Sequence, residues 1–147
     1  MSKRFIMGKV LPDSYKALYA VDVSLKNSDI PPLQREMIKI RASQINGCAY
    51  CVSLHAKEAR KLGETEQRIY VMSVWREAPN LFSEEEQLVL EMTEEISLIH
   101  MHGLSSRLYD KAIALWGEQR TAQVMMSIIN INSWNRIGVG TNLHPDT

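Results

Sequence analysis

The sequence has few cysteines, no surplus of either charge and no long apolar run, and each shortage excludes a class of protein. Seventeen basic and seventeen acidic residues balance, which argues against the basic surface that binds nucleic acid. No stretch reaches the roughly 18 consecutive apolar residues of a membrane span, and the N-terminal stretch has no apolar core of a signal peptide. We therefore expect a cytoplasmic protein with neither a nucleic-acid nor a membrane partner.

The two cysteines that are present lie close together. Cys48 and Cys51 are the only cysteines among 147 residues. In a reducing compartment such a pair is more often catalytic or metal-binding than a structural crosslink. Two sulfurs three residues apart can close a disulfide, so the pair suits thiol redox chemistry. Two buried thiols that merely pack as small apolar groups are the plainer alternative.

The apolar residues recur at intervals of three and four, and no segment shows the alternation of a strand. The length and the 45% hydrophobic content fit one domain over residues 1–147 with enough chain to bury a core. We therefore predict a single, compact, all-α domain of about six to seven helices.

Caps and helix breakers predict where these helices begin and end. The predicted helices run from about Asp13 to Lys26, from Pro32 to Gly47, from Cys48 to Gly63, from Thr65 to Trp75 and from Ser83 to Ile99, and Ser105 or Ser106 and Thr121 cap two more. Ser83 and Glu86 form a capping box. The expected apolar faces comprise Tyr15, Leu18, Tyr19 and Val23 in the first helix, and Leu88, Val89, Met92, Ile96 and Ile99 in the helix from Ser83.

The helical surroundings of the cysteines decide between several uses of a Cys-x-x-Cys motif. A thioredoxin fold needs a strand before the motif, where this sequence has a helix. Attachment of c-type haem needs a histidine directly after the second cysteine, where Val52 stands. Structural zinc would need Glu36 and His55 to complete a tetrahedral set, because no second Cys-rich segment exists. Zinc stays an alternative, and we predict neither a metal nor a cofactor.

A helix start and a nearby base would activate these thiols. With Cys48 as the N-cap, Cys51 and His55 follow along one helical face, and the positive end of the helix stabilises a thiolate. A hairpin at Gly47 leaves an axial offset of about 6 Å between Glu36 and His55, which two side chains and a water can span. We expect Glu36 to orient His55, and His55 to exchange a proton with a thiol.

The spacing of these residues resembles the signature of the alkyl hydroperoxidase D (AhpD) group of the carboxymuconolactone decarboxylase superfamily. The signature is present as Glu36, eleven intervening residues, Cys48-Ala49-Tyr50-Cys51, three more residues and His55. Residues 132–137 are similar to the closing helix of small members, and the resemblance covers roughly residues 10–143. It implies an all-helical protomer that assembles as a trimer or hexamer.

The resemblance also implies an activity. Members of the group are thiol peroxidases that reduce hydroperoxides while the cysteine pair becomes a disulfide. By carry-over, Cys51 is the peroxidatic thiol, Cys48 the resolving thiol, and Glu36 and His55 the proton relay. An external dithiol donor, either lipoyl-bearing or thioredoxin-like, then reduces the disulfide.

Tyr50 departs from the pattern of the group, whose well-characterised members have a histidine directly before the second cysteine. A phenol is a poor base at neutral pH, so the substitution points to weaker peroxidase activity. Decarboxylase members of the superfamily generally lack the cysteine pair, which argues against lactone chemistry here. Two other functions stay open: a redox-responsive binding or assembly module, and a disulfide reductase with little peroxidase activity.

Overall fold

A computed structural model of the protein describes residues 4–145 and has an all-α fold, as predicted. The helices are α1 Met7–Val10, α2 Pro12–Leu25, α3 Pro32–Ile45, α4 Ala49–Lys61, α5 Glu66–Val71, α6 Glu84–Ser97, α7 Ile99–His102 and α8 Ser106–Gly140. Two 3₁₀ segments, Met72–Glu77 and Pro79–Leu81, lie between α5 and α6. None of the helices in this part of the chain is long and apolar enough to cross a membrane. The predicted domain includes residues 1–3 and 146–147, which lie outside the described residues.

Side-chain caps set several of the helix boundaries. The Ser83 hydroxyl accepts a hydrogen bond from the Glu86 N–H while the Glu86 carboxylate accepts one from the Ser83 N–H, so the predicted capping box is present. Ser105 caps α8 by accepting a hydrogen bond from the Leu108 N–H. Gly63, with a φ of +95°, follows the end of α4, and a left-handed glycine is the usual helix stop.

The prediction that Thr121 caps a helix is wrong. Thr121 is buried within α8, and the course of that helix is interrupted four residues earlier at Gly117, where φ is 72°. Glycine adopts this left-handed conformation without a β-carbon clash. The break therefore falls at the glycine, and no new side-chain cap at Thr121 is needed.

Two other predicted helices end earlier than expected. Helix α6 stops at Ser97, so Ile99 belongs to α7 and is exposed instead of packing on the buried side of α6. The helix predicted from Thr65 to Trp75 keeps α geometry only through Val71. The chain then tightens into a 3₁₀ segment, in which side chains follow a three-residue period that the apolar pattern does not distinguish from an α-helix.

Helix α3 lies at the centre of the fold, in contact with α4, α6 and α8. Ile38 and Ala42 pack into one apolar cluster with residues of α6 and α8, whereas Met37 and Ile40 pack into a second cluster with residues of α4, α6 and the 3₁₀ segments. Burying each of the larger side chains stabilises the fold by about 1.5–3 kcal/mol. Because α3 is held on two sides, its polar residue Glu36 has a fixed place beside α4.

Candidate active site

A tight turn between α3 and α4 places both cysteines at the start of a helix. Gly47 has a φ of +66°; its N–H donates to the Gln44 carbonyl, and the Cys48 N–H donates to the Ser43 carbonyl at 3.0 Å. These two hydrogen bonds form a Schellman motif. The motif ends α3 and makes Cys48 the N-cap of α4.

Cys48 and Cys51 are joined in a disulfide, with their Cα atoms 5.3 Å apart. Both residues are buried, with relative exposures of 2% and 5%. The backbone N–H of Cys51 donates to Sγ of Cys48 at 3.4 Å. In the reduced protein this donor would stabilise a thiolate on Cys48, and the positive end of α4 favours negative charge on either sulfur. The local structure thus favours thiol chemistry at the beginning of α4.

His55 lies about one turn beyond Cys51 and reaches across to α3. Its Nδ1 is 2.8 Å from Oε2 of Glu36, in a part-buried contact. The two side chains meet directly, so the water that the sequence allowed between Glu36 and His55 is not needed. When Glu36 is ionised, the imidazole donates from Nδ1, and this leaves Nε2 free to accept a proton.

Lys39 is a third member of this cluster, and sequence reasoning missed it. Its ammonium Nζ lies 3.2 Å from Oε1 of Glu36 and 3.9 Å from Oδ1 of Asp22. Burial alone would raise the pKa of Glu36, but the hydrogen bond from His55 and the charge of Lys39 outweigh burial and lower that pKa below its ordinary value. The signal in the sequence was the three-residue spacing from Glu36 to Lys39, which makes them neighbours on a helix.

A mostly apolar cavity of about 240 Å³ opens beside the disulfide. Its walls come from the N-terminal segment, α1, α2, α4 and α8, with Tyr15, Tyr19, Leu54, Trp134 and Ile137 among the larger lining side chains. Cys51 and His55 line this cavity, and Cys48 is not among its lining residues. A small molecule in the cavity would therefore lie beside both Cys51 and His55.

Helix α2 forms a wall of this cavity and does not bury the apolar face that the sequence suggested. Tyr15, Tyr19 and Val23 remain substantially exposed. The ring of Tyr15 packs edge-on against that of Trp134, with ring centroids 5.0 Å apart, a favourable arrangement of two aromatic rings. Tyr15 and Tyr19 of α2 thus line the candidate site instead of filling the core.

Gly138 of α8 lies against the disulfide and is a site residue that sequence reasoning also missed. A β-carbon at this position would lie 2.9 Å from Sγ of Cys48 and 3.5 Å from Sγ of Cys51. Glycine is therefore what allows α8 to approach the two sulfurs so closely. A glycine inside a helix costs about 1 kcal/mol of stability relative to alanine, so its presence suggests a close packing contact. The sequence does not show which residue makes that contact.

Side-chain amides tie the end of α3 to α8 just before the cysteine turn. The Asn46 amide donates to Oδ1 of Asn132 at 2.8 Å and to Oδ1 of Asn135 at 3.0 Å. The Asn135 amide in turn donates to the Ser43 hydroxyl at 2.9 Å. Asn132 and Asn135 belong to the segment 132–137, so that segment contributes to holding the turn in place.

The zinc alternative requires several ligands that converge on one point. Among residues 4–145 there is no group of three or more His, Cys, Asp or Glu side chains placed to hold a metal ion. Instead the two sulfurs form a disulfide, and Nδ1 of His55 is hydrogen-bonded to Glu36.

Comparisons with known proteins agree with this fold. The family model described as the carboxymuconolactone decarboxylase family matches residues 11–95. The chain belongs to this family. The uncharacterized protein YdfG of Bacillus subtilis (strain 168) is 40% identical to this chain over 139 residues, which cover 95% of this chain and 94% of YdfG.

Solved structures confirm the predicted resemblance of this chain to the AhpD-like group of the carboxymuconolactone decarboxylase superfamily. A protein of unknown function from Agrobacterium tumefaciens, for which the role of antioxidant defence protein AhpD has been suggested, shares 34% identity and a TM-score of 0.94, with 99% of each chain covered. An uncharacterized peroxidase-related protein with an alkylhydroperoxidase AhpD core, from Ralstonia eutropha JMP134, shares 18% identity and a TM-score of 0.79 over 95% of this chain and 74% of that chain. The second likeness concerns the fold alone.

Proposed function

We propose that this AhpD-like protein is a thiol-dependent peroxidase of the alkyl hydroperoxide reductase type. The observation that carries the proposal is the cavity, which gives a small molecule access to Cys51 beside His55 while Cys48 lies outside its lining. This asymmetry supports Cys51 as the peroxidatic thiol and Cys48 as the resolving thiol. The direct contact of Glu36 with His55 supports their role as the proton relay.

In the first half of the proposed cycle, His55 takes the proton of the Cys51 thiol, with Glu36 holding the imidazole in the accepting tautomer. The thiolate attacks the terminal oxygen of a hydroperoxide, ROOH. An S–O bond forms and the O–O bond breaks, so Cys51 becomes a sulfenic acid and the peroxide is reduced. The leaving alkoxide takes the proton from His55 and departs as the alcohol ROH.

In the second half, the Cys48 thiol attacks the sulfenic sulfur of Cys51. The S–S bond forms and water leaves, which gives the disulfide present in the structure. An external dithiol supplies two electrons and two protons, restores both thiols and becomes a disulfide itself. A lipoyl-bearing or thioredoxin-like protein in the cytoplasm is the proposed donor.

Peroxide consumption in the presence of a dithiol reductant tests this cycle. The wild-type protein is expected to turn over repeatedly, and Cys51→Ser to be inactive. Cys48→Ser is the matched control, because it removes the disulfide and keeps the thiol that attacks peroxide. Equal turnover by wild type and Cys51→Ser would contradict the proposal.

A disulfide reductase with little peroxidase activity is the second candidate, and Tyr50 is the observation that favours it. Tyr50 lines the cavity at the position where characterised members of the group have a histidine, so the site has one fewer base. Rapid reduction of small disulfides together with slow peroxide consumption would select this candidate. A disulfide that forms and changes assembly without either activity would select a redox-responsive module.

We also propose that the protomers form a homo-oligomer, a trimer or hexamer as the resemblance implies. Large apolar side chains that are more than half exposed on the protomer, such as Ile99 and Met101, support burial between subunits. Light scattering after size exclusion measures the mass directly. A monomer at micromolar concentration would contradict this part of the proposal.

A further inference from the structure

The contacts of Glu36 extend beyond His55 into a chain of charged and polar groups. Oε2 of Glu36 faces His55 at 2.8 Å, and Oε1 accepts a hydrogen bond from Lys39 at 3.2 Å. Both carboxylate oxygens are thus engaged, one by each neighbour. The side chains of Glu36 and Lys39 are mostly buried, with 11% and 22% exposed, so water screens their attraction only in part.

Lys39 also pairs with Asp22 of α2, which a residue of α8 holds in turn. Its ammonium lies 3.9 Å from Oδ1 of Asp22 on α2, and the same Asp22 oxygen accepts a hydrogen bond from the Asn130 amide of α8 at 3.1 Å. A lysine anchored in this way has fewer rotamers to lose when it binds Glu36. The side chain therefore acts as a fixed support.

We propose that Lys39 is a positioning residue of the thiol reaction: it holds the Glu36 carboxylate with one oxygen towards His55. This inference rests on the proposed function, because it assigns a role in activating Cys51. It goes beyond the relay of Glu36 and His55, since the signature does not include Lys39. The role is indirect, because Lys39 is not among the residues that line the cavity at Cys51.

The tautomer of His55 explains why the ionisation of Glu36 matters. An ionised Glu36 accepts from Nδ1–H, and this leaves Nε2 of the imidazole free to take the thiol proton. A protonated Glu36 donates to Nδ1 instead, and the neutral imidazole then carries its proton on Nε2. In that state His55 cannot accept a proton from Cys51. Burial raises the pKa of Glu36, and the hydrogen bond from His55 and the charge of Lys39 together offset burial. Loss of Lys39 removes part of that offset and is expected to shift the relay towards this inactive state.

The other charged groups around the cluster do not replace Lys39. Lys26 and Arg35 share a small cavity of about 50 Å³ with Asp22 and Lys39. The Arg35 guanidinium is engaged with backbone carbonyls, including that of Lys26 at 2.9 Å. Among the described residues, the ion pairs of Glu36 are those with Lys39 and with His55.

The pH dependence of Cys51 alkylation tests this proposal without requiring peroxide turnover. In a Cys48→Ser background only Cys51 can react with iodoacetamide, and its rate is measured between pH 5 and pH 10, a window chosen to span the ordinary thiol pKa of about 8.5. Lys39→Met and Lys39→Gln are expected to move the midpoint of the rate profile upwards by about half a pH unit or more. Lys39→Arg keeps the charge and is expected to restore the midpoint.

Lys57→Met is the matched control, because Lys57 is exposed on α4 and its loss removes the same charge away from Glu36. Its midpoint is expected to equal that of the parent protein. An unchanged midpoint in both Lys39→Met and Lys39→Gln, or a uniformly lower rate with the same midpoint, would overturn the role of Lys39. A shifted midpoint in a protein that consumes no peroxide would instead refute the peroxidase and leave the role of Lys39 standing.

Discussion

Replacing Gly138 by alanine tests the close approach of α8 to the disulfide. The new β-carbon would lie 2.9 Å from Sγ of Cys48 and 3.5 Å from Sγ of Cys51, whereas ordinary contacts between nonbonded heavy atoms begin at about 3.5 Å. The Cys48 sulfur or α8 must therefore move by about half an ångström. Adding one carbon to a packed site costs about 1–3 kcal/mol, which corresponds to about 3–10 °C in Tm for a domain of this size. Alanine gains about 1 kcal/mol of helix propensity over glycine, so this fall is expected relative to an alanine placed elsewhere in α8 without a clash.

Thermal unfolding of the oxidised protein, followed by circular dichroism, measures this cost. Gly140→Ala is the matched control, because Gly140 also lies in α8 and a β-carbon there meets nothing within 4 Å. Alanine favours a helix over glycine by about 1 kcal/mol, so the control is expected to melt at or above the wild-type temperature. If the Gly138→Ala and Gly140→Ala proteins have the same Tm, α8 does not pack against the disulfide as closely as described.

Two further predictions concern stability. Gly47→Ala is expected to cost about 1–2 kcal/mol because it forces a side chain into left-handed backbone; an unchanged urea midpoint would contradict the Schellman turn. Burial alone would raise the pKa of Glu94, but hydrogen bonds from Arg76, Trp75 and Arg41 lower it below its ordinary value of 4.5. Ionised Glu94 therefore makes its whole contribution to the free energy of unfolding above about pH 4.5, and that contribution is lost as the pH falls through the lowered pKa. Glu94→Gln is expected to lower the free energy of unfolding by about 2 kcal/mol at pH 7. Urea titrations should show the difference between wild type and Glu94→Gln becoming smaller below pH 4.5. A difference that stays constant with pH would contradict the assignment.

The sequence was informative wherever one local interaction determines structure. The capping box at Ser83 and Glu86 depends on side chains three residues apart, so the pattern alone predicts where α6 begins. Gly47 marks the end of α3 because a helix commonly stops at a left-handed glycine. The hairpin at that glycine then brings Glu36 and His55 together, since the helical rise converts sequence distance into axial distance.

The rest of the site depends on how distant segments pack, which periodicity does not report. Gly138 meets the cysteines across about ninety residues of chain, and its helical spacing is the same whatever it faces. Tyr15 and Tyr19 match an apolar face, but the pattern cannot distinguish a face that fills the core from one that lines a cavity. The interruption of α8 at Gly117 had a visible signal in the glycine, although a helical pattern often tolerates one.

In the proposed cycle, a hydroperoxide oxidises Cys51 directly. The most direct measurement is to treat reduced Cys48→Ser with one equivalent of an organic hydroperoxide, trap sulfenic acid with a dimedone-type reagent and locate the adduct by mass spectrometry. We expect an adduct on Cys51, and none in Cys51→Ser treated in the same way. No adduct on Cys51, or an equally rapid adduct on Cys48 in Cys51→Ser, would contradict it.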